Sequence, residues 1–134
     1  MQTNINVLLV EDNLLAQTVA KMILTDLGCK VQVAADGEQA LEIFKANKKA
    51  YDFIFMDIGL PGISGLDVTK AIRKLEQDTP AVPAVPIVAA TANYDLSCAS
   101  IYLAAGMNDF MLKPLSKETV ATILSKFLPE AKLK

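Results

Sequence analysis

Five side chains that could do chemistry stand at the ends of short apolar runs. Glu11 and Asp12 follow Val7-Leu8-Leu9-Val10, Asp57 follows Phe53-Ile54-Phe55-Met56, Thr91 follows Ile87-Val88-Ala89-Ala90, and Lys113 follows residues 107–112. Apolar runs of this length read as buried parallel strands, each delivering a polar residue to its carboxyl end. Three carboxylates drawn together repel by up to about 4 kcal/mol per pair at roughly 4 Å with an effective dielectric near 20, so they must take up protons or a cation. The chain contains no histidine, and Cys29 and Cys98 are two lone thiols without metal-ligand spacing. Oxygen ligands alone favour Mg²⁺, which usually takes one or two carboxylates, keeps several waters and recruits phosphate oxygens. The chemistry indicated is therefore phosphoryl chemistry. Lys113 can neutralise a phosphoryl group as a point charge, and the Thr91 hydroxyl can donate a hydrogen bond to one of its oxygens. One carboxylate is then free to act as nucleophile, and Asp57, which has no acidic sequence neighbour, is the best candidate for an aspartyl phosphate.

The elements that must position these groups alternate along the chain. Asn13 offers a cap to a helix whose Leu15, Val19, Ile23 and Leu27 recur at four-residue intervals, with Gly28 as its stop. Residues 30–35 alternate as a second strand, with Val31 and Val33 on one side, and Asp36-Gly37-Glu38-Gln39 reads as a capping turn into a helix carrying Ala40, Leu41 and Phe44. Ser64 and Gly65 open a helix with Val68, Ile72 and Leu75 inward and Lys70, Arg73, Lys74 and Glu76 outward, helical as far as Gln77. Pro80, Pro83 and Pro86 at three-residue spacing suit an exposed extended connector. Asp95 is a candidate cap for a weakly apolar helix with Cys98, Ile101, Tyr102 and Ala105, stopped by Gly106. Residues 107–112 form the fifth strand, and Ser116 caps a last helix with Val120, Ile123, Leu124 and Phe127 on one face. Both cysteines and the Met and Leu positions of the helices read as core.

Strand and helix thus alternate five times, the pattern of an α/β doubly wound fold with a parallel sheet, right-handed crossovers and helices on both faces. In such folds the functional crevice lies outside the carboxyl ends of the strands. At 134 residues and 52% hydrophobic content the chain fits one domain with a single core region. A formal charge of −2 with scattered lysines leaves no basic stripe for nucleic acid or an anionic membrane. No apolar run approaches the roughly 20 residues of a membrane span, and the N-terminus lacks signal-peptide features, so a cytoplasmic location is the default expectation.

Five features in order then resemble one family, the receiver domain of two-component response regulators and hybrid sensor histidine kinases. They are Glu11-Asp12, then Asp57, then Leu60-Pro61 with Gly65 after it, then Thr91-Ala92, and last Lys113-Pro114. The match covers nearly the whole chain, with a core of about residues 7–127. The resemblance implies a flavodoxin-like sheet of order 2-1-3-4-5. It implies that Asp57 accepts a phosphoryl group from a phosphohistidine on a histidine kinase or histidine phosphotransfer domain. Asp12 and Asp57 would ligate Mg²⁺ with the Gly59 carbonyl, and Glu11 would act through a bound water. Thr91 and Lys113 would hold the phosphoryl oxygens. Phe110 would be a switch aromatic coupled to Thr91, Pro114 would follow a cis peptide, and output would appear on the face of the fourth helix, fifth strand and fifth helix. That face could also pair two copies. Glu11-Asp12-Asn13, Thr91-Ala92-Asn93 and residues 106–110 look most like receivers of hybrid kinases. The same features fit a stand-alone regulator. Gly59 and Asn93 occupy positions that tune dephosphorylation in the family.

Plainer readings stand beside these. Asp12 and Asn13 could be helix caps only, Phe110 a core aromatic, and Gly59, Gly62 and Gly65 turn glycines. An FMN binder of the same fold would meet repulsion from Glu11-Asp12 where flavin phosphate must sit. A magnesium phosphatase would carry Asp-x-Asp on its first strand, which is absent. A degenerate receiver serving only as a docking scaffold would lack part of the five-residue set.

Overall fold

The computed structural model describes residues 5–47, 50–58, 60, 62–78, 84–91, 96–113, 115–129 and 133, with the side chains of residues 96–99 outside that set. Strands β1 (Ile5–Val10), β2 (Cys29–Ala34), β3 (Phe53–Asp57), β4 (Ile87–Thr91) and β5 (Asp109–Leu112) alternate with helices α1 (Leu14–Asp26), α2 (Gly37–Ala46), α3 (Gly65–Gln77), α4 (Leu96–Ala105) and α5 (Lys117–Phe127). The strands form one sheet in the order β2-β1-β3-β4-β5, every pairing parallel, as the alternation and the resemblance predict. Central strands β3 and β4 are buried at every position. Such strands have no face to leave polar, which is why they read as unbroken apolar runs.

One face of the sheet carries a core of Leu8, Val10, Phe44, Ile54, Met56, Val68, Ile72 and Ile87. The opposite face joins Val7, Leu9, Leu24, Phe53, Phe55, Val88, Val120 and Leu124. The helices begin where the capping residues direct. Asp36 accepts from the Gln39 amide at 2.8 Å, Ser64 from the Asp67 amide at 3.2 Å, and Ser116 from the Thr119 amide at 3.2 Å. The Thr119 hydroxyl oxygen in turn accepts from the Ser116 amide at 3.3 Å and completes a capping box. Gly28 and Gly106 lie at the ends of α1 and α4 with φ of 95° and 109°, a left-handed conformation that glycine adopts without a Cβ penalty.

Several expectations need correction. The fifth strand begins at Asp109 because the Met107 amide bonds to the Tyr102 carbonyl (3.1 Å) and closes α4. β2 spans Cys29–Ala34, one residue earlier than the alternation suggests. On α1, Leu27 is buried but Leu15 and Val19 are 74% and 40% exposed, and the buried stripe runs through Ala20 and Leu24. Each four-residue step overshoots a helical turn by about 40°, so a strict row of such steps winds off the core face. Leu14, Met22 and Leu103 are also exposed, so the Met and Leu positions are not uniformly core. Glu76 is buried and Arg73 half-buried, against their assignment to the outward face of α3. Cys29 is buried as expected, and burial pushes its thiol up to about 11. The Cys98 side chain, Asp95 and the connector prolines Pro80 and Pro83 lie outside the described residues.

Gly65 marks the tightest approach between a helix and the strand that carries Asp57. A Cβ at this position would collide with the Asp57 carbonyl oxygen and lie 3.0 Å from Met56 Cγ. The start of α3 therefore rests directly on the end of β3, and Gly65→Ala is expected to lower unfolding free energy by about 1–3 kcal/mol. Urea unfolding should show a lower midpoint with an unchanged slope.

Candidate functional site

Parallel pairing sets the site. Val10 is in register with Met56, so Glu11 and Asp57 leave the sheet side by side, one residue beyond that rung. Asp57 in turn faces Ala90 on β4, and Thr91 pairs with Leu112 on β5, the residue before Lys113. The Lys113 amide donates to the Thr91 carbonyl at 2.8 Å, which extends the ladder to the lysine itself. Glu11, Asp12 and Asp57 each offer one carboxylate oxygen within 4.8 Å of the others. Glu11 and Asp57 are buried, whereas Asp12 is exposed.

Lys113 Nζ reaches across this cluster. It donates to Glu11 Oε1 at 2.7 Å and lies 3.2 Å from Asp57 Oδ1. Burial disfavours the Glu11 charge and raises its pKa, against the lowering effects of the Lys113 hydrogen bond and the Asn13 amide; Asp57 raises it further. Burial also works against the Lys113 ammonium, but its bond to Glu11 and the charge of Asp57 outweigh this and raise its pKa. Oxygen donors without nitrogen or sulfur suit Mg²⁺, so the donor set fits the predicted cofactor.

Of the expected site residues, the structure brings together Glu11, Asp12, Asp57 and Lys113, with Thr91 buried at the adjoining strand end. Phe110 lies on β5, its ring 5.8 Å from that of Tyr102 in an edge-to-face contact. Gly59, Asn93 and Pro114 lie outside the described residues. Asn13, not Asp12, caps α1, accepting from the Ala16 amide at 2.9 Å. The residue-by-residue reading missed Gln17, whose side-chain amide donates to the Glu11 carbonyl at 2.7 Å. Its position one helical turn beyond the cap was the available signal. A cavity of about 350 Å³ continues from Glu11, Asp57 and Lys113 between α1 and the sheet, lined by Phe55, Leu15, Val19 and Leu115 among others.

Residues 7–125 match the model of the response regulator receiver domain. The chain belongs to that family. As a receiver domain of two-component signalling it is related to receivers of hybrid kinases. It is 43% identical over 125 residues to the aerobic respiration control sensor protein ArcB of Escherichia coli (strain K12), covering 92% of this chain and 15% of ArcB. It is 38% identical to the transcription factor prr1 of Schizosaccharomyces pombe, covering 91% of this chain and 21% of that protein. The chain therefore spans less than a quarter of these curated relatives. Among solved structures, it matches a co-crystal of the Saccharomyces cerevisiae histidine phosphotransfer protein Ypd1 with the receiver domain of Ssk1 at a TM-score of 0.86 and 29% identity (95% of this chain, 90% of that one). The receiver of sensor histidine kinase PA1611 from Pseudomonas aeruginosa, with magnesium coordinated in its active-site cleft, matches at 0.79 and 37% identity, covering 96% of this chain and 99% of that one. Among the described residues no helix is long and apolar enough to cross a membrane.

The charge balance gives a pH signature in metal-free buffer. A folded-state pKa above the ordinary carboxylate value means that the unfolded chain releases the Glu11 proton first. Stability contributed by this group therefore falls as pH rises from about 4.5 through the folded pKa. Lys113→Gln removes the partner that holds that pKa down. Between pH 4.5 and 7 the variant should lose more unfolding free energy than wild type, measured by urea titration at both pH values.

Proposed function

We propose that the chain, as a single receiver domain, accepts a phosphoryl group on Asp57 from a phosphohistidine of a histidine kinase or histidine phosphotransfer domain, with Mg²⁺ as cofactor. The carrying observation is the convergence of Glu11, Asp12 and Asp57 within 4.8 Å under the Lys113 ammonium. Asp12 and Asp57 would hold Mg²⁺ directly and Glu11 through water, with the Gly59 carbonyl assigned to the same shell by family resemblance. Bound Mg²⁺ supplies positive charge against the carboxylates and the phosphoryl oxygens. The Asp57 carboxylate attacks phosphorus, the bond from phosphorus to the donor imidazole nitrogen breaks, and that nitrogen leaves with the electron pair. Lys113 exchanges its contact with Asp57 for a phosphoryl oxygen, and the Thr91 hydroxyl donates to another. The likeness to ArcB supports an origin in a hybrid sensor histidine kinase.

Mass spectrometry with a small phosphodonor and Mg²⁺ tests the assignment. Wild type should gain one phosphoryl adduct, Asp57→Asn none, and EDTA should abolish labelling. An equal adduct on Asp57→Asn sinks the reading.

A phosphohistidine must come to a carboxylate that is only 7% exposed, so its carrier has to cover the rim of the site. On one side that rim is α1, where Leu14, Leu15 and Met22 are 75%, 74% and 63% exposed and Leu15 and Val19 line the cavity shared with Asp57. This strip is assigned to the phosphohistidine carrier, since apolar anchors dominate contact energetics. The α4–β5–α5 face, with Ile101, Leu103 and Leu112 exposed, is assigned to output and to any pairing of two copies. Leu15→Asp should slow transfer from a phosphorylated histidine phosphotransfer domain by about tenfold or more. Labelling by acetyl phosphate should be unchanged, because that donor needs no docking surface. Equal slowing of both reactions would refute the assignment.

A further inference from the structure

The guanidinium of Arg73 bonds to its own helix and to the turn between α4 and β5, at the end of the sheet opposite the acidic cluster. Nε donates to the Gly106 carbonyl at 2.9 Å, Nη1 to Glu76 Oε1 at 2.8 Å, and Nη2 to Asn108 Oδ1 at 2.9 Å. The partners are themselves engaged. Glu76 Oε2 accepts from the Val85 amide at 2.7 Å, and Asn108 Oδ1 accepts from the Ile87 amide at 2.9 Å. The Asn108 amide returns a bond to the Ile87 carbonyl at 2.8 Å. One planar fork thus joins α3 to the end of α4, the start of β4 and the start of β5. Gly106 serves this arrangement twice. Its φ is 109°, and a Cβ there would lie 2.7 Å from Arg73 Cγ.

The clasp sits immediately ahead of the first rung of the β4–β5 ladder. That ladder runs from Val88 paired with Asp109 to Thr91 paired with Leu112, and the Lys113 amide bonds to Thr91 beyond its last rung. A register shift of one residue would turn every side chain of the moved strand to the other face. Glu11, Asp12 and Asp57 are placed instead by β1 and β3, paired from Val7–Phe53 to Val10–Met56, and β3 keeps its own ladder to β4 from Ile54–Ile87 to Asp57–Ala90, so that a slip at the clasp falls on β5.

We propose that Arg73 and Asn108 are positioning residues for phosphoryl transfer, acting through the β4–β5 register to place Lys113 against Thr91 and Asp57. This rests on the reading that the Lys113 and Thr91 side chains hold the phosphoryl oxygens. It separates two properties that a general loss of structure would damage together. Disrupting the clasp misplaces Lys113 and leaves the metal-binding carboxylates in position.

The test uses Asn108→Ala, Asn108→Asp and Arg73→Lys in the full chain. Asn108→Asp keeps an acceptor oxygen for both the Ile87 amide and Arg73, whereas the other two break the fork. For Asn108→Ala and Arg73→Lys, the acetyl phosphate labelling rate at saturating Mg²⁺ should fall by about tenfold or more, with Mg²⁺ affinity by calorimetry within about twofold of wild type. Asn108→Asp should retain both. Hydrogen exchange of the Lys113 amide reads the register without phosphorylation, and should accelerate in Asn108→Ala but not in Asn108→Asp. A folded Asn108→Ala protein with wild-type labelling rate and Lys113 exchange overturns the proposal, as does a parallel loss of rate and Mg²⁺ affinity. If Asn108→Ala does not fold, Arg73→Lys decides by the same criteria. If wild type takes no phosphoryl group, the Asp57 reading fails, and Lys113 exchange alone decides whether the clasp sets the register.

Discussion

Carboxylates held against one another at the edge of a low-dielectric sheet are the constraint around which this molecule is arranged. Two of the three, Glu11 and Asp57, are almost excluded from water, and the cluster spans less than 5 Å. Lys113 bridges both at 2.7 and 3.2 Å and is the counter-charge the fold itself provides. One ammonium against three ionised carboxylates leaves two negative charges uncompensated, and burial already raises the Glu11 pKa in response. A divalent cation matches that deficit. On the proposed reading the same ammonium would serve an incoming phosphoryl group, so its interaction with Asp57 is one that transfer would exchange rather than add to.

Topology decides which groups can meet. With order β2-β1-β3-β4-β5, Asp57 sits on the middle strand, the acidic pair arrives from one neighbour, and the hydroxyl and amine arrive from the other side. The β1–β3 pairing therefore sets the acidic pair beside Asp57, the β3–β4 pairing sets Thr91, and the β4–β5 pairing sets Lys113. Backbone bonds continue past the ends of the β3–β4 and β4–β5 ladders, Ile58 to the Ala90 carbonyl at 3.3 Å and Lys113 to the Thr91 carbonyl at 2.8 Å. Gly65 lets α3 press on the Asp57 carbonyl from behind.

Much of this was legible in the sequence, for specific reasons. Unbroken apolar runs identified β3 and β4 because both faces are covered, and the residue after each run had to lie at the crevice. Asp36, Ser64 and Ser116 were readable because capping is local chemistry within three residues. Arg73 and Glu76 were not readable. Charged residues on a helix are solvated by default, and only contacts 9 to 35 residues away, to Val85, Gly106 and Asn108, draw these two inward. The face of α1 was misjudged because Leu15 and Val19 fit a hydrophobic row as well as core residues do. Hydrophobic periodicity shows that a helix has an apolar stripe, but cannot distinguish a core from a surface kept for another molecule.

That ambiguity bears on how a phosphoryl group could be sensed. Among the described residues, the exposed large apolar side chains fall into two groups, one on α1 at the rim of the Asp57 cavity and one on α4 and β5. Of these, the first adjoins the carboxylate, so on the proposed reading a phosphoryl donor would cover it and leave the other accessible. On the proposed reading, the link between them is short. Phe110 is three residues before Lys113 on β5, and its ring meets the Tyr102 ring of α4 edge-to-face at 5.8 Å. Tyr102 is buried, so this contact lies in packed surroundings, where rings repack between discrete arrangements and do not deform continuously. On that reading, movement of Thr91 and Lys113 toward a phosphoryl group would act on β4 and on β5, which carries Phe110 of this pair. A chemical change at Asp57 would then reach α4 through one aromatic contact, while the docking strip on α1 is left to select the donor.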